Sequence, residues 1–142
     1  MERRAWKAVS QCGPNAGCGI ERPALAERSG NRCHAQRAIE RGAELGHFVL
    51  RAWAILPNHV HVLLDPLVPI ARLTLGIKRA SAQHANATLG RTGMPFWQDE
   101  SFDHWVRGPG QFARIQTYIE NNPVKARLCA RPQDWRWSSA HK

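Results

Sequence analysis

Two short apolar runs in the middle of the chain predict a β-hairpin. The runs are FVLRAWAIL at 48–56 and HVHVLLD at 59–65, and Pro57 and Asn58 stand between them. The runs are rich in β-branched, aromatic and aliphatic residues, and a Pro-Asn pair favours a tight turn. We therefore expect two strands that pair through a short connection.

The second run places two histidines on one face of its strand. Side chains alternate between the two faces of a β-strand, so His59 and His61 share a face with Leu63 and Asp65. The residues that point to the opposite face are all apolar: Val60, Val62 and Leu64. This pattern predicts one packed face and one face that carries ionisable groups.

Helical spacing of apolar residues follows the hairpin and recurs near the end of the chain. Beyond Pro66 and Pro69, apolar residues recur every three or four positions through about Leu89, and they include Ile70, Leu73, Ile77 and Ala80. A further helix is predicted from near Gln111, because Phe112, Ile115 and Ile119 form one stripe. Glycine-containing breaks at 90–93 and 108–110 enclose a mixed aromatic and acidic segment between these helices.

The first 47 residues show weaker patterns. Residues 1–22 contain CGPNAGCG and no sustained apolar period, which predicts irregular structure. From Pro23 to about Glu44, abundant Ala, Glu and Arg favour one or two short helices with a break at 29–31. The chain of 142 residues has no repeat or linker and is the size of one domain, so we expect a single domain over 1–142.

The charge balance suggests an anionic partner. Twenty Lys and Arg oppose eleven Asp and Glu, for a net charge of +9, and six tryptophans accompany that charge. Basic and aromatic residues together favour a nucleic-acid partner, although a solvated basic surface fits equally well. Acidic residues become rare after residue 111, so the C-terminal part is the better candidate for a surface that faces phosphates.

The cysteines and the hydropathy indicate a cytoplasmic protein. Cys12, Cys18, Cys33 and Cys129 lack C-x-x-C spacing, so we interpret them as reduced thiols. A zinc site formed by the first three with His34 is an alternative that the irregular spacing disfavours. No apolar stretch has the length of a signal peptide or a membrane span, so no membrane partner is expected.

The histidine pair has the spacing of a metal site. The Cα atoms of residues i and i+2 on a strand stand roughly 6–7 Å apart, so both imidazoles can bind one ion. They leave coordination positions open, as a catalytic divalent ion requires when a phosphate oxygen and water must also bind. An exposed or hydrogen-bonded pair on a half-solvated strand gives the same pattern, and the spacing alone favours that simpler interpretation.

The single tyrosine of the chain, Tyr118, lies on the edge of the predicted C-terminal helix, and Asn122 follows one turn later on the same edge. A phenol has a pKa of about 10 and attacks a phosphodiester at neutral pH only where a metal or cations favour the phenolate. Asn122 could supply an oxygen to such a metal. The simpler interpretations are a boundary tyrosine with a solvated hydroxyl and an N-cap asparagine before Pro123.

Several segments taken together resemble a known family. They are AWAILPNHVHVLL, IKRASAQHAN, GRTGMPFWQDESFDHWVR, YIENNPVKARL and DWRWSSA. This combination resembles the IS200-like transposases and, within them, the branch of REP-associated tyrosine transposases. The resemblance runs from about residue 50 to residue 140, and PNHVH followed by YIENNPVKA is its most specific part.

The resemblance implies an α+β fold, a ferredoxin-like α/β sandwich with an antiparallel sheet. It also implies a single-strand DNA endonuclease and strand transferase of the His-hydrophobic-His type, acting on single-stranded or hairpin DNA in the nucleoid. His59 and His61 match the metal ligands, Tyr118 the nucleophile and Asn122 the position of a further ligand, with Mg²⁺ or Mn²⁺ as the metal. The tyrosine would keep the 5′ phosphate covalently. Whether the chain acts as a monomer or a homodimer stays open.

Cations and aromatic residues outside this set are candidates for DNA contacts. The cations are Lys78, Arg79, Arg107, Arg114, Lys125 and Arg127. The aromatic residues that could stack on unpaired bases are Trp97, Phe96, Phe102 and Trp105. Core packing is the alternative for each of them, and it is the favoured interpretation for Trp53, Trp135 and Trp137. We interpret His104 with its neighbouring acids Asp99, Glu100 and Asp103 as a solvated start of an element.

The chain departs from the family pattern in three places. Members usually open with a strand beside the histidine strand, but residues 1–47 contain no convincing run, so the first strand is expected to be missing or divergent and the catalytic core to span 48–142. Leu56 stands where methionine is usual. Arg127 replaces the glycine that usually follows KA at a helix end.

Three functions are therefore in competition. The first is an active DNA strand transferase. The second is a non-catalytic DNA-binding remnant of such an enzyme. The third is a metal-dependent RNA or phosphoester hydrolase that uses the histidine pair and does not need Tyr118.

Overall fold

The computed structural model describes residues 6–12, 25–57, 59–88, 90, 92–94 and 101–142. Within these ranges, the side chains of 6–12, 25–29, 31, 59, 85, 88 and 101–104 are not described. The elements are β1 Trp6–Cys12, α1 Leu25–Glu44, β2 Phe48–Ile55, β3 His59–Pro66, α2 Ile70–Thr88, β4 Ser101–Val106, α3 Pro109–Lys125 and a 3-10 turn at Pro132–Asp134. None of the described helices is both long and apolar enough to cross a membrane.

The four strands form one antiparallel sheet in the order β2-β3-β1-β4. β1 pairs with β3 on one side and with β4 on the other, and β3 also pairs with β2. Strands and helices follow each other as βαββαβ, with α3 added at the end. The α+β, ferredoxin-like fold predicted from the sequence is confirmed.

The sheet is covered on both faces. Val62 of β3 packs with Ile39 of α1 and Leu73 of α2 in one core. The next residue, Leu63, points the other way and packs with Ile119 of α3 in a second core. Each fully buried Leu or Ile side chain stabilises the fold by about 1.5–3 kcal/mol, so both faces of β3 contribute to stability.

The chain beyond α3 covers the outer edge of β2. The Ile55 N–H donates to the Trp137 carbonyl at 2.8 Å, and the Ser139 N–H donates to the Trp53 carbonyl at 2.9 Å. The Ser139 hydroxyl also donates to Glu120 of α3 at 3.0 Å. These bonds satisfy an edge strand that would otherwise expose unpaired backbone groups, and they tie α3 to the sheet.

The N-terminal prediction was wrong for Trp6–Cys12. That segment is a strand, and it lies in the interior of the sheet between β3 and β4. The expectation that the sheet lacks its first strand is therefore corrected. WKAVSQC carries few strong strand formers, and its strand conformation depends on hydrogen bonds to two neighbouring strands that are distant in sequence.

One prediction about a local break was also wrong, and one strand was not predicted. Residues 29–31 do not divide the helical region, because α1 is one helix of 20 residues. Packing of Ala35 and Ile39 against the sheet offsets the roughly 1 kcal/mol helix penalty of Gly30. The mixed segment before Gly108 contains a strand, β4, which its aromatic and acidic composition concealed.

The C-terminal end of α3 has a hydrogen-bond pattern typical of a Schellman motif. The Leu128 N–H donates to the Pro123 carbonyl, and the Arg127 N–H donates to the Val124 carbonyl, each at 2.9 Å. Arg127 has φ = 57°, in the left-handed region that favours glycine. The departure at this position thus leaves the helix end intact but places a side chain where glycine is favoured.

We expect Arg127→Gly to raise the free energy of unfolding by about 1 kcal/mol, because a residue with a Cβ pays a steric cost in the left-handed region. Urea unfolding measures the change. Arg127→Ala is the matched control, since it removes the same guanidinium but keeps Cβ, and it should give no such gain. Equal stabilisation by both variants would contradict the backbone explanation.

Candidate functional site

β3 delivers His61 to the face of the sheet that α3 covers. His61 pairs in register with Ala54 of β2, and it lies two residues before Leu63, which is fully buried under α3. The His61 side chain is half-buried. Strand alternation therefore holds the imidazole at the margin of a packed core, partly open to solvent.

α3 delivers Tyr118 to the same margin. Ile119 is 1% exposed and anchors the helix in the core, with Phe112 and Ile115 packed beside it. Tyr118 precedes this anchor and is 49% exposed. Its backbone is thus held by the buried stripe, while the phenol reaches solvent.

The structure brings these two side chains together. The ring centroids of His61 and Tyr118 are 6.0 Å apart, and the ring planes meet at 73° in an edge-to-face arrangement. Such a separation is within the range of favourable aromatic pairs. An imidazole from the hairpin and the only phenol of the chain are therefore neighbours, although they are 57 residues apart in the sequence.

A cationic cleft lies on the solvent side of the phenol. The ammonium nitrogen of Lys125 stands 4.4 Å from the centroid of the Tyr118 ring, a cation–π contact. The cleft has a volume of about 360 Å³, and the described residues that line it all belong to α3: Arg114, Thr117, Tyr118, Asn121, Val124 and Lys125. Two cations on one side of a half-exposed phenol give a local positive potential that favours a phosphate group.

Asn122 lies inside α3, one turn after Tyr118. It is 8% exposed, and its amide nitrogen donates to the Tyr118 carbonyl at 3.3 Å. The helix continues through Pro123 to Lys125, so the alternative of an N-cap at Asn122 is wrong. Because the amide nitrogen is engaged, the side-chain oxygen is the atom with which Asn122 could coordinate a metal.

The predicted ligand His59 is described only at its backbone. Its backbone is the first residue of β3, two positions before His61, but its side chain lies outside the described residues. Trp97 and Phe96 also lie outside them, as do the side chains of Phe102 and His104. Their predicted roles stay predictions.

The predicted DNA-binding cations divide between two faces of the sheet. Arg114 and Lys125 lie with Tyr118 on α3, and the exposed Arg107 and Arg127 flank that helix. Lys78 and Arg79 belong to α2, which packs on the opposite face. A nucleic acid that contacts both groups must therefore pass around an edge or an end of the sheet.

Three tryptophans belong to the fold, as predicted. Trp137 is 6% exposed in the core, and Trp53 and Trp135 pack partly buried against it. The Arg32 guanidinium lies over Trp135 and Trp137, with its carbon 5.4 and 5.8 Å from the two ring centroids. Trp105, by contrast, is 47% exposed, so stacking on a base is open to it.

The weak zinc hypothesis gains no support from the described part of the chain. Cys33 packs against the core, and His34 stacks on His84 of α2 with ring centroids 5.0 Å apart. Burial, followed by the charges of His84 and Arg37, lowers the pKa of His34. Among described side chains, no three His, Cys, Asp or Glu residues come close enough to hold a metal.

Sequence reasoning missed two polar residues of the cleft, Thr117 and Asn121. The Asn121 amide donates to the Thr117 carbonyl at 2.8 Å, and both residues line the space beside Tyr118. Helical periodicity was the available signal, because residues 117 and 121 are one turn apart and adjoin Tyr118 on the helix surface.

We expect a double-mutant cycle of Tyr118→Leu and Lys125→Met to give a coupling free energy of about 0.5–1 kcal/mol, because each change removes one partner of the cation–π contact. Urea unfolding of the four proteins measures it. A second cycle of Tyr118→Leu with Arg131→Met is the control, since Arg131 pairs with Asp134 after α3. Equal coupling in both cycles would show that the contact contributes nothing of its own.

One solved structure similar to this chain is described as a REP-associated tyrosine transposase bound to a REP hairpin. The TM-score is 0.72 at 20% sequence identity, and the match covers 99% of this chain and 79% of that chain. No protein-family model matches the chain, and no curated protein does. The structural likeness supports the resemblance seen in the sequence at the level of the fold: the chain has the fold of a REP-associated tyrosine transposase.

Proposed function

We propose that this protein is a metal-dependent single-strand DNA endonuclease and strand transferase with Tyr118 as its nucleophile. The observation that carries the proposal is the 6.0 Å approach of the Tyr118 and His61 rings. The chain shares its fold with a REP-associated tyrosine transposase that was solved with a REP hairpin, which supports a DNA substrate.

The donor set fits a divalent metal. His61 offers a half-buried imidazole, and strand alternation would set the side chain of His59, two residues earlier on β3, on the same face. Asn122 offers an amide oxygen from α3, beside the carbonyl of Tyr118. Two imidazoles and one amide oxygen would hold Mg²⁺ or Mn²⁺ and leave positions for phosphate and water. Such an ion, when bound, withdraws charge from a non-bridging phosphate oxygen.

Tyr118 performs the covalent step in this mechanism. Its hydroxyl oxygen attacks the phosphorus in line, the 3′ oxygen of the preceding nucleotide leaves as a hydroxyl, and Tyr118 keeps the 5′ phosphate. The helix holds the backbone of Tyr118 in place, because Ile119 beside it is buried. The phosphotyrosine bond conserves the energy needed to join the phosphate to a new 3′ hydroxyl.

The cations of the cleft hold the substrate. Lys125 and Arg114 flank the phenol, so they can neutralise the phosphates on either side of the scissile bond. The Lys125 ammonium, 4.4 Å from the ring centroid, also favours negative charge that develops on the phenol oxygen. Half-exposure of Tyr118 leaves the phenol accessible to an unpaired strand.

The structure removes one argument for an inactive remnant. That alternative depended on an incomplete sheet, and β1 occupies its interior position between β3 and β4. The hydrolase alternative makes no use of Tyr118, whose position beside His61 it leaves unexplained. The strand-transfer mechanism uses both residues.

We expect wild-type protein with Mn²⁺ to form a denaturation-resistant adduct with end-labelled single-stranded hairpin DNA, and Tyr118→Phe to form none. Gel electrophoresis in denaturant detects the adduct. Because the chain has one tyrosine, no other phenol can substitute. Cleavage that survives in Tyr118→Phe would favour the hydrolase, and binding without an adduct in the wild type would favour the remnant.

We expect His61→Ala, and likewise His59→Ala, to reduce adduct formation at least about 100-fold, because an essential metal ligand is lost. DNA affinity in the same variants should stay within a few fold, since affinity depends mainly on cations. Fluorescence anisotropy measures affinity, and His141→Ala is the control, because His141 is exposed and its ring nitrogen hydrogen-bonds to the Gln133 carbonyl in the 3-10 turn after α3. Parallel losses of binding and cleavage would contradict the assignment.

A further inference from the structure

A second cleft lies at the C-terminal end of α2, away from Tyr118. Its volume is about 320 Å³, and it is lined by Arg79, Ala82, Gln83, Asn86, Thr92 and Gly93. The four residues from α2 are spaced i, i+3, i+4 and i+7, so they share one helix face. Thr92 and Gly93 close the cleft from the turn that follows the helix.

Asn86, one of the residues that line this cleft, has a buried hydrogen-bond acceptor. Asn86 is 5% exposed, and its amide nitrogen donates to the Met94 carbonyl at 2.6 Å. That bond fixes the orientation of the amide, because the reverse orientation would set two oxygens against each other. The Oδ1 atom is buried, and no described residue donates a hydrogen bond to it. A buried acceptor in this state favours any ligand that presents an N–H group.

The cleft lies at the same end of the sheet as the histidine strand's first residues. β1 is antiparallel to both β3 and β4, so β3 and β4 run parallel to each other. α2 connects the end of β3 to the start of β4 and must run back along the sheet. Its C-terminal end therefore lies at the level of the start of β3, where His59 and His61 stand.

From these observations we infer that the cleft is a subsite for an unpaired nucleobase with an exocyclic amino group. The base donates an amino hydrogen to Asn86 Oδ1, and a flanking phosphate pairs with Arg79, which is exposed at the rim. The inference rests on the proposed function for its single-stranded DNA, but it assigns a base-reading site that is separate from the cleavage centre.

Cytosine and thymine offer the sharpest comparison for this subsite. They are similar in size and stacking, but cytosine presents an amino donor where thymine presents a carbonyl oxygen. The Asn86 oxygen attracts the first and repels the second. A cytosine strand should therefore bind more tightly than a thymine strand.

The experiment measures binding of short labelled oligo-dC and oligo-dT strands by fluorescence anisotropy in EDTA, so that no chemistry occurs. We expect wild-type protein to prefer dC about tenfold. Asn86→Leu, which keeps a side chain of similar size without the acceptor, should lose the preference, because dC binding weakens and the repulsion of dT is relieved. Absence of a preference in the wild type, or its persistence in a folded Asn86→Leu, would overturn the subsite.

Two further variants test the subsite even if the Asn86→Leu protein does not fold. Gln83→Glu places a carboxylate in the cleft at an exposed helical position, and it should weaken dC binding several-fold; unchanged affinity would overturn the subsite. Arg79→Ala should reduce the slope of log affinity against log salt by about 0.7, the value for one phosphate of a single strand. Arg72→Ala is its matched control, an exposed arginine near the other end of α2 that should leave the slope unchanged.

The binding assay and the adduct assay test the two proposals independently. A dC preference that depends on Asn86 in a protein that forms no Tyr118 adduct supports the subsite and refutes the strand transferase. A Tyr118 adduct without any base preference refutes the subsite and leaves the strand transferase standing.

Discussion

The alternation of side chains along β3 is the constraint on which the rest of the structure depends. β3 has a neighbouring strand on each side and a packed layer on each face, so a shift of one residue would exchange its two faces. The valines would then lie under α3, and the histidines would be buried beneath α1 and α2 without partners. Burying two unpaired imidazoles is costly enough to fix the register.

This register makes a site possible at the margin of the second core. Leu63 and Ile119 hold β3 and α3 together, and the polar residues next to each of them, His61 and Tyr118, are carried to the rim of that contact. Ser139 strengthens the arrangement through its bond to Glu120 and its backbone bond to Trp53. The site thus inherits its rigidity from apolar packing, and its solvent access from the half-exposed phenol.

Positive charge serves the two clefts differently. Arg114 and Lys125 surround the phenol where a reacting phosphate would lie, so their charges act on the proposed chemistry. Arg79 stands beside a buried amide on the opposite layer, where charge would hold a strand in place while Asn86 distinguishes its bases. A single strand that passes around the end of the sheet could contact both clefts, which reconciles cations on two faces with one DNA partner.

The local patterns of the sequence determined the hairpin, the helix α2 and the apolar stripe of α3. They also determined which β3 side chains share a face of the strand. Each of these features depends on residues close together in the chain. The same patterns did not determine β1, the unbroken α1 or β4, since pairing and packing with distant residues outweigh weak local propensity there. Local spacing could place Tyr118 beside Asn122 on one helix edge, but only the tertiary structure set that edge against His61 and brought Lys125 over the ring. The Asn86 acceptor likewise has no sequence signal, because it becomes a site only where a helix end and a later turn enclose it.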